Sequence, residues 1–294
     1  MASTRYNHSL CISAYWNRHS VRKRALCLYT FSAGSVPDAP LVVSPGATMS
    51  NLSDCGVAEN ALLAAFSAKV IAALRPHLEL HPLAIGESLY MENAAQTYVY
   101  FPISGIVSIV YVLSDGATGE LAIVGNDGLV GLAAFMEGQS AAHRAVVQVE
   151  GHCYRVKAKI LTELFRTDKA VSNILLRYIQ VVLVQLAQTA ICNRNHTLTQ
   201  QFCRWILLSL DRLDTNVVKM TQQLIAEMLG VRREGVSVIA GQLRDERLIE
   251  YSRGTITVLD RKAVEDSVCE CYAAVRAETR RLLPEAHRRS NRAR

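Results

Sequence analysis

The chain has 294 residues, of which 50% are hydrophobic, 20% charged and 6% aromatic. That composition excludes disordered, collagenous and mucin-like chains and suits about two packed domains. The net charge of +6 is uneven: residues 1–48 carry +4, 49–160 carry −4, 161–196 carry +2, 197–260 are neutral and 261–294 carry +4.

The basic pI of 8.9 thus comes from the two ends and is no argument for nucleic-acid binding. The longest apolar stretch, residues 179–191, is broken by Gln180, Gln185, Gln188 and Thr189. It falls short of the ~18 unbroken apolar residues a span needs, so no membrane partner is expected. Eight cysteines, at 11, 27, 55, 153, 192, 203, 269 and 271, show no framework spacing. Reduced thiols in a cytoplasm are the expectation.

Residues 1–48 have no sustained period. They read as a disordered tail, or as an extension upstream of a start at Met49, since they cannot bury a core. From Asn60 to Leu74, apolar residues at 62, 63, 66, 70, 71 and 74 predict a helix stopped by Pro76. His77 and His81 stand four apart, but beside Pro76 and Pro82 they suit a helix-to-strand link better than a metal site. Short β-branched runs follow at 97–101, 106–113, 120–124 and 145–149, separated by Gly, Asn and Asp turns. Their spacing predicts a small sandwich or barrel. Gly125, Gly128 and Gly131 form a GxxGxxG run without a βαβ unit, so turns are a better reading than a phosphate cradle.

Residues 168–193 predict one helix of about 26 residues, roughly 39 Å long. Its apolar positions wrap too far round for a single face, which favours a self-associating helix in a dimer. A helix follows at 198–210. Thr221 then reads as the N-cap of a short helix with Leu224, Ile225 and Met228 inside, and Gly230 as its C-terminal turn. A second helix runs from Arg232 to about Glu246, burying Val236, Ile239, Ala240 and Leu243. Its first turn exposes Arg232, Arg233, Glu234 and Ser237. Residues 248–260 read as two strands around Arg253-Gly254. This is the order of a winged helix-turn-helix, whose second helix enters the major groove. Arg can bond guanine and Glu can accept from cytosine, while Arg253 on the wing touches phosphate. The DNA-binding set is therefore Thr221, Gln222, Arg232, Arg233, Glu234, Ser237 and Arg253. A terminal helix is expected over 266–283. Cys269 and Cys271, two apart on it, would point to different sides, so they are expected to be buried small residues and not metal ligands.

The run Thr221–Leu248, with its Leu-Gly-Val-Arg-Arg-Glu-Gly-Val core, resembles the DNA-binding domain of Crp/Fnr-type bacterial transcription regulators. The glycine-punctuated strands of 83–156 resemble that family's cyclic-nucleotide-binding-like β-roll, and 168–193 its dimerisation helix. The resemblance spans about residues 60–265. It implies a homodimer on a near-palindromic operator, with half-sites about one DNA turn apart. Val238 stands where the family often has a further Arg or Lys, and Gly235 where it has Thr or Ser. Cyclic-nucleotide-binding members also use a Gly-Glu and an Arg-Ser/Thr pair. Here the corresponding stretch offers only Gly125, Asp127, Gly128 and Arg144 as ligand-binding candidates. Iron–sulfur sensing needs about four cysteine ligands, and the region before the roll has three, widely spaced.

The expected fold class is α+β. A tail (1–48) precedes a cyclic-nucleotide-binding-like sensor β-roll (49–167) and a dimerisation helix (168–196). A winged helix-turn-helix (197–263) and a C-terminal helix with a basic tail (264–294) complete the chain. The expected function is sequence-specific DNA binding by a homodimer, modulated at the roll by an unidentified signal. RNA polymerase is a candidate partner, and no cofactor or metal is expected. The alternative is a ligand-binding regulatory module without DNA activity. An enzyme is not expected, since no nucleophile–base motif, P-loop or carboxylate pair appears.

Overall fold

The computed structural model describes residues 57–136 and 140–284, all within the compact unit Met49–Arg294. The readings of 1–48, of Met49, of Cys11, Cys27 and Cys55 and of the tail past 284 lie outside these residues.

The helix expected over 60–74 is broken. A 3-10 turn, Leu63–Ala65, precedes α1, Ala68–Leu74. Ser67 interrupts the run by capping α1, its side chain accepting from the Val70 amide. Asn60 works the other end: its Oδ1 accepts from the Leu62 and Leu63 amides, and its Nδ2 donates to the Pro102 and Gly128 carbonyls. Local hydrogen bonding by Ser and Asn competes with helix propagation.

The roll is two antiparallel sheets. One has the order β1 (Glu79–Leu83), β7 (Gly151–Lys157), β3 (Tyr98–Pro102). The other has β2 (Ser88–Tyr90), β6 (Arg144–Val149), β4 (Ile106–Val112), β5 (Thr118–Val124). Leu83, Tyr100, Val107, Val124, Ala145 and Val147 fill the interior between them. Four strands fall where the β-branched runs predicted them. The remaining ones, β1, β2 and β7, carry Pro82, His81 or alternating polar residues that dilute the pattern. His81 sits on β1 and His77 on a 3-10 turn. His81 Nε2 meets Glu87 Oε1 at 3.0 Å.

After α2 (Ala158–Thr167), Asp168 caps the long α3, Lys169–Asn195, by accepting from the Ala170 and Val171 amides. By length and composition α3 could cross a membrane. It instead buries Val171, Ile174, Leu175, Tyr178, Val181 and Gln185 against the roll and its neighbours. Its exposed positions include Asn173, Leu176, Gln180, Leu183, Ala187, Ala190 and Arg194, spaced alternately three and four. That is one seam of period 3.5.

A capping box at Thr197 and Gln200 starts α4, Leu198–Leu210, and 197–260 forms the second core with the third sheet, in order β8 (Val217–Lys219), β10 (Thr255–Val258), β9 (Ile249–Ser252). The terminal helix expected over 266–283 is instead two, α7 (Arg261–Ser267) and α8 (Glu270–Leu282), broken at Val268-Cys269. Asp260 caps α7. Arg261 bridges Asp211 and Glu265 and donates to the Tyr272 hydroxyl, fastening α7 and α8 to the end of α4. From there α8 runs back along α3, and Leu282 and Leu283 enter the core that α1 and the roll share.

Candidate nucleic-acid interface

Residues 221–245 form two helices joined by a tight turn. Thr221 Oγ1 accepts from the Leu224 amide, which starts α5, Gln222–Leu229. Gly230 ends it with φ 66°, a left-handed conformation that glycine adopts without steric cost. The Val231 amide returns to the Ala226 carbonyl at 2.9 Å, turning the chain into α6, Arg233–Asp245. Ala226 and Val236 are buried between the helices, with Ile239 and Leu243 in the same core. A hydrogen bond from Ser237 Oγ to Gln222 Oε1, 2.6 Å, ties the pair on the outer side.

The burial of α6 leaves Arg233, Glu234, Ser237 and Val238 exposed on one face, with Arg232 exposed just before it. β9 and β10 form the hairpin expected after this helix, and Arg253 (φ 51°) and Gly254 (φ 75°) make its two-residue turn. Positive φ at both positions is the mirror-image turn that matches strand twist. It holds Arg253 at the tip, exposed. Between helix start, α6 and hairpin lies a cleft of about 490 Å³ lined by Thr221, Gln222, Gln223, Arg233, Tyr251, Arg253 and Gly254. Four of the seven residues expected on the DNA side therefore converge there. Arg232, Glu234 and Ser237 lie along the adjoining α6 face.

Besides Gly254 of the turn, two residues of this cleft were not in that set. Gln223 follows the N-cap closely, where a DNA backbone would meet the free amides of α5, and its Nε2 donates to Glu227 Oε1. Tyr251 donates from its hydroxyl to the Met220 carbonyl, 2.9 Å, and burial raises its pKa above the usual tyrosine value. Its signal in the sequence was ambiguous, since a strand aromatic reads first as core.

The structure places the four residues expected to hold a ligand beside the helices that pack on the roll or at the start of β6. Asp127 pairs with Arg212 at the end of α4, with Nη2 to Oδ2 at 2.8 Å and Nε to Oδ1 at 3.1 Å. A Cβ on Gly125 would lie 2.6 Å from Arg212 Cβ, and one on Gly128 would lie 2.2 Å from the Tyr178 hydroxyl. These glycines let α3 and Arg212 approach the roll closely. Arg144 alternates with Ala145, whose side chain lies inside the roll. Arg144 itself is half-buried, and its Nε is buried without a hydrogen-bond partner among the described residues.

This surface couples the two halves. Tyr178 donates to the Leu129 carbonyl at 3.0 Å. Ser108 donates to Glu120 at 2.5 Å, and desolvation pushes the Glu120 carboxyl up to about 7 despite Ser108, Arg204 and Arg212 favouring its charge. Gln148 Nε2 donates to Met228 Sδ, so α5 touches the roll directly. Gly128→Ala is expected to cost about 1–3 kcal/mol of stability, because the new methyl must displace a buried, rigid ring. A thermal melt checks it, with Tm falling by roughly 3–10 °C; an unchanged Tm would show that Tyr178 is not held as described.

A two-sheet roll, a long helix and a winged helix-turn-helix define a DNA-binding regulator with an attached roll domain. Residues 80–168 match the model of the cyclic nucleotide-binding domain, and residues 200–267 match that of the Crp-like helix-turn-helix domain. Together the models cover more than half of the chain, which belongs to the Crp/Fnr family of transcription regulators. Among solved structures, FixK2 from Bradyrhizobium japonicum is 21% identical with a TM-score of 0.57, covering 65% of this chain and 98% of that one. TTHB099, a CRP-family transcriptional regulator from Thermus thermophilus, is 21% identical with a TM-score of 0.55, covering 64% and 95%. The c-di-GMP-responsive regulator CLP of Xanthomonas campestris is 16% identical with a TM-score of 0.53, covering 66% and 100%. At these identities the likeness is one of fold. No curated protein sequence matches the chain.

Proposed function

We propose that this regulator acts as a homodimer through α3 and places one α6 in the major groove of each half of an inverted repeat. The observation that carries the reading is the convergence of Arg233 and Arg253 on one cleft beside the start of α5. Two cations, the amides of a helix N-terminus and an exposed recognition helix together suit a duplex edge. The seam of α3 supplies the second half of the argument. A narrow 3.5-period stripe that includes Asn173, Gln180 and Arg194 suits a partner helix better than lipid.

A signal reaching the roll would act through Tyr178, Arg212 and Met228, which touch the roll from α3, the end of α4 and α5. Shifting that packing re-spaces the two α6 helices and changes the fraction competent to bind. The chain's role in this reading is binding rather than catalysis, in the compartment that holds the DNA.

Selection of bound sequences from random duplex DNA, with the full chain at fixed salt and no added effector, tests the proposal. The expected product is an inverted repeat with half-sites about one helical turn apart. A folded dimer that enriches no sequence, alone or with added cell metabolites, would overturn the reading.

A further inference from the structure

The break between α7 and α8 changes the chemistry of two cysteines. Cys269 stands before α8 as its N-cap, and Cys271 is the second residue of that helix. The expectation that they point to different sides fails, because they do not share a helix. Both turn instead toward the end of α3, where Cys192 and His196 are spaced i, i+4 and share a face.

The ligand atoms of Cys192, His196, Cys269 and Cys271 all lie within 4.8 Å of one another. Cys192 Sγ is 3.6 Å from Cys269 Sγ, and Cys271 Sγ is 3.6 Å from His196 Nδ1. A tetrahedral zinc ion with the usual bond lengths needs edges of about 3.8 Å between sulfurs and about 3.6 Å between sulfur and nitrogen. We propose that these four residues form a zinc site that fastens α8 to the hinge between α3 and the DNA-binding domain.

The surroundings fit a single ion with three thiolates and one imidazole. Nδ1 of His196 faces the sulfurs, while Nε2 lies 3.4 Å from Glu270 Oε2. A carboxylate on the far nitrogen is the partner that orients a metal-bound histidine. All three cysteines are buried, at 0%, 4% and 1% exposure. A divalent ion with three thiolates carries one net negative charge, and the three thiol protons leave to solvent on binding. Arg204 offsets that charge. It is buried, acts electrostatically on Cys192, and its Nε has no hydrogen-bond partner. The start of α8 adds the positive end of a helix dipole beside Cys269 and Cys271. Ligands held this close suit one ion, whereas an iron–sulfur cluster spreads its ligands over several irons.

The site's position gives it a purpose. His196 is the C-cap of α3, and Thr197 starts α4. An ion there locks the segment about which the DNA-binding domain would turn, and holds α8 along α3.

The test uses the full-length, reduced protein. Titration with cobalt(II) alone is expected to give the intense visible bands of tetrahedral cobalt thiolate, saturating at one ion per chain, and zinc should displace it. Cys269→Ser and Cys271→Ser should abolish those bands, while Cys203→Ser, a buried cysteine outside the group, should keep them. In the unmodified protein, zinc should slow alkylation of Cys192, Cys269 and Cys271 and leave Cys153 unaffected, which tests the site even if the variants fail to fold. A folded, reduced protein that binds neither ion would overturn the proposal, as would octahedral cobalt bands or a Cys192–Cys269 disulfide formed in place of metal binding.

Discussion

Arg233→Ala is expected to lower affinity for the selected operator by roughly 10²–10⁴-fold while leaving the dimer intact. The size follows from geometry. Arg233 opens α6, is exposed, and lines the cleft shared with Thr221, Gln222 and Arg253. A bidentate arginine contact to guanine discriminates by about 1–3 kcal/mol, and a homodimer makes it twice, which converts to that range of affinity. The substitution costs the fold little, since alanine favours helix and Arg233 has no part in the core. Titration of labelled operator by anisotropy at two salt concentrations separates the roles. Loss concentrated on the cognate sequence marks a base contact. A uniform loss with a shallower salt dependence marks a phosphate contact. Unchanged affinity for every sequence would remove α6 from the interface.

The helix-turn-helix was legible because each of its constraints has a local signature. Thr221 caps through its own hydroxyl, Gly230 supplies the left-handed residue, and Val236, Ile239 and Leu243 keep helical period. The wing was legible because Arg253-Gly254 falls between two β-branched runs. Its third strand, β8, was not. Val217–Lys219 is three residues long and becomes a strand only by pairing with β10.

The sensor half was harder to read for a physical reason. Glycines at 125 and 128 look alike in sequence whether they cradle an anion or admit a neighbouring side chain. Only the structure shows that a Cβ at either position would meet Arg212 or Tyr178. Asp127 likewise finds its partner 85 residues away. The cysteine cluster was hidden by one wrong helix boundary. Carrying a single helix through Val268 and Cys269 separates the thiols, and the break brings them together. Cys192 and His196 had the i, i+4 spacing of a ligand pair, but inside a long apolar helix that spacing reads first as packing.

Leu183→Glu is expected to dissociate the dimer and, through that, to cost most of the operator affinity. Leu183 is 59% exposed in the single chain and Leu176 52%, although α3 buries its other face. Large apolar side chains on a heptad seam are explained by a second copy of the same seam. In a two-fold pair, Leu183 faces the region of its own copy, so the substitution places two carboxylates near each other and removes two apolar contacts. Burying an unpaired charge costs several kcal/mol, well beyond what solvent-exposed repulsion would. The folded monomer should survive, because Leu183 contributes nothing to the inner face defined by Val171, Leu175, Tyr178 and Val181. Operator binding falls with the dimer, since each half-site then binds independently and the effective concentration set by the tether is lost. Sedimentation equilibrium reads the first effect, anisotropy the second. A Leu183→Glu protein that still sediments as a tight dimer would place the interface elsewhere and return α3 to the role of a helix that merely links two domains.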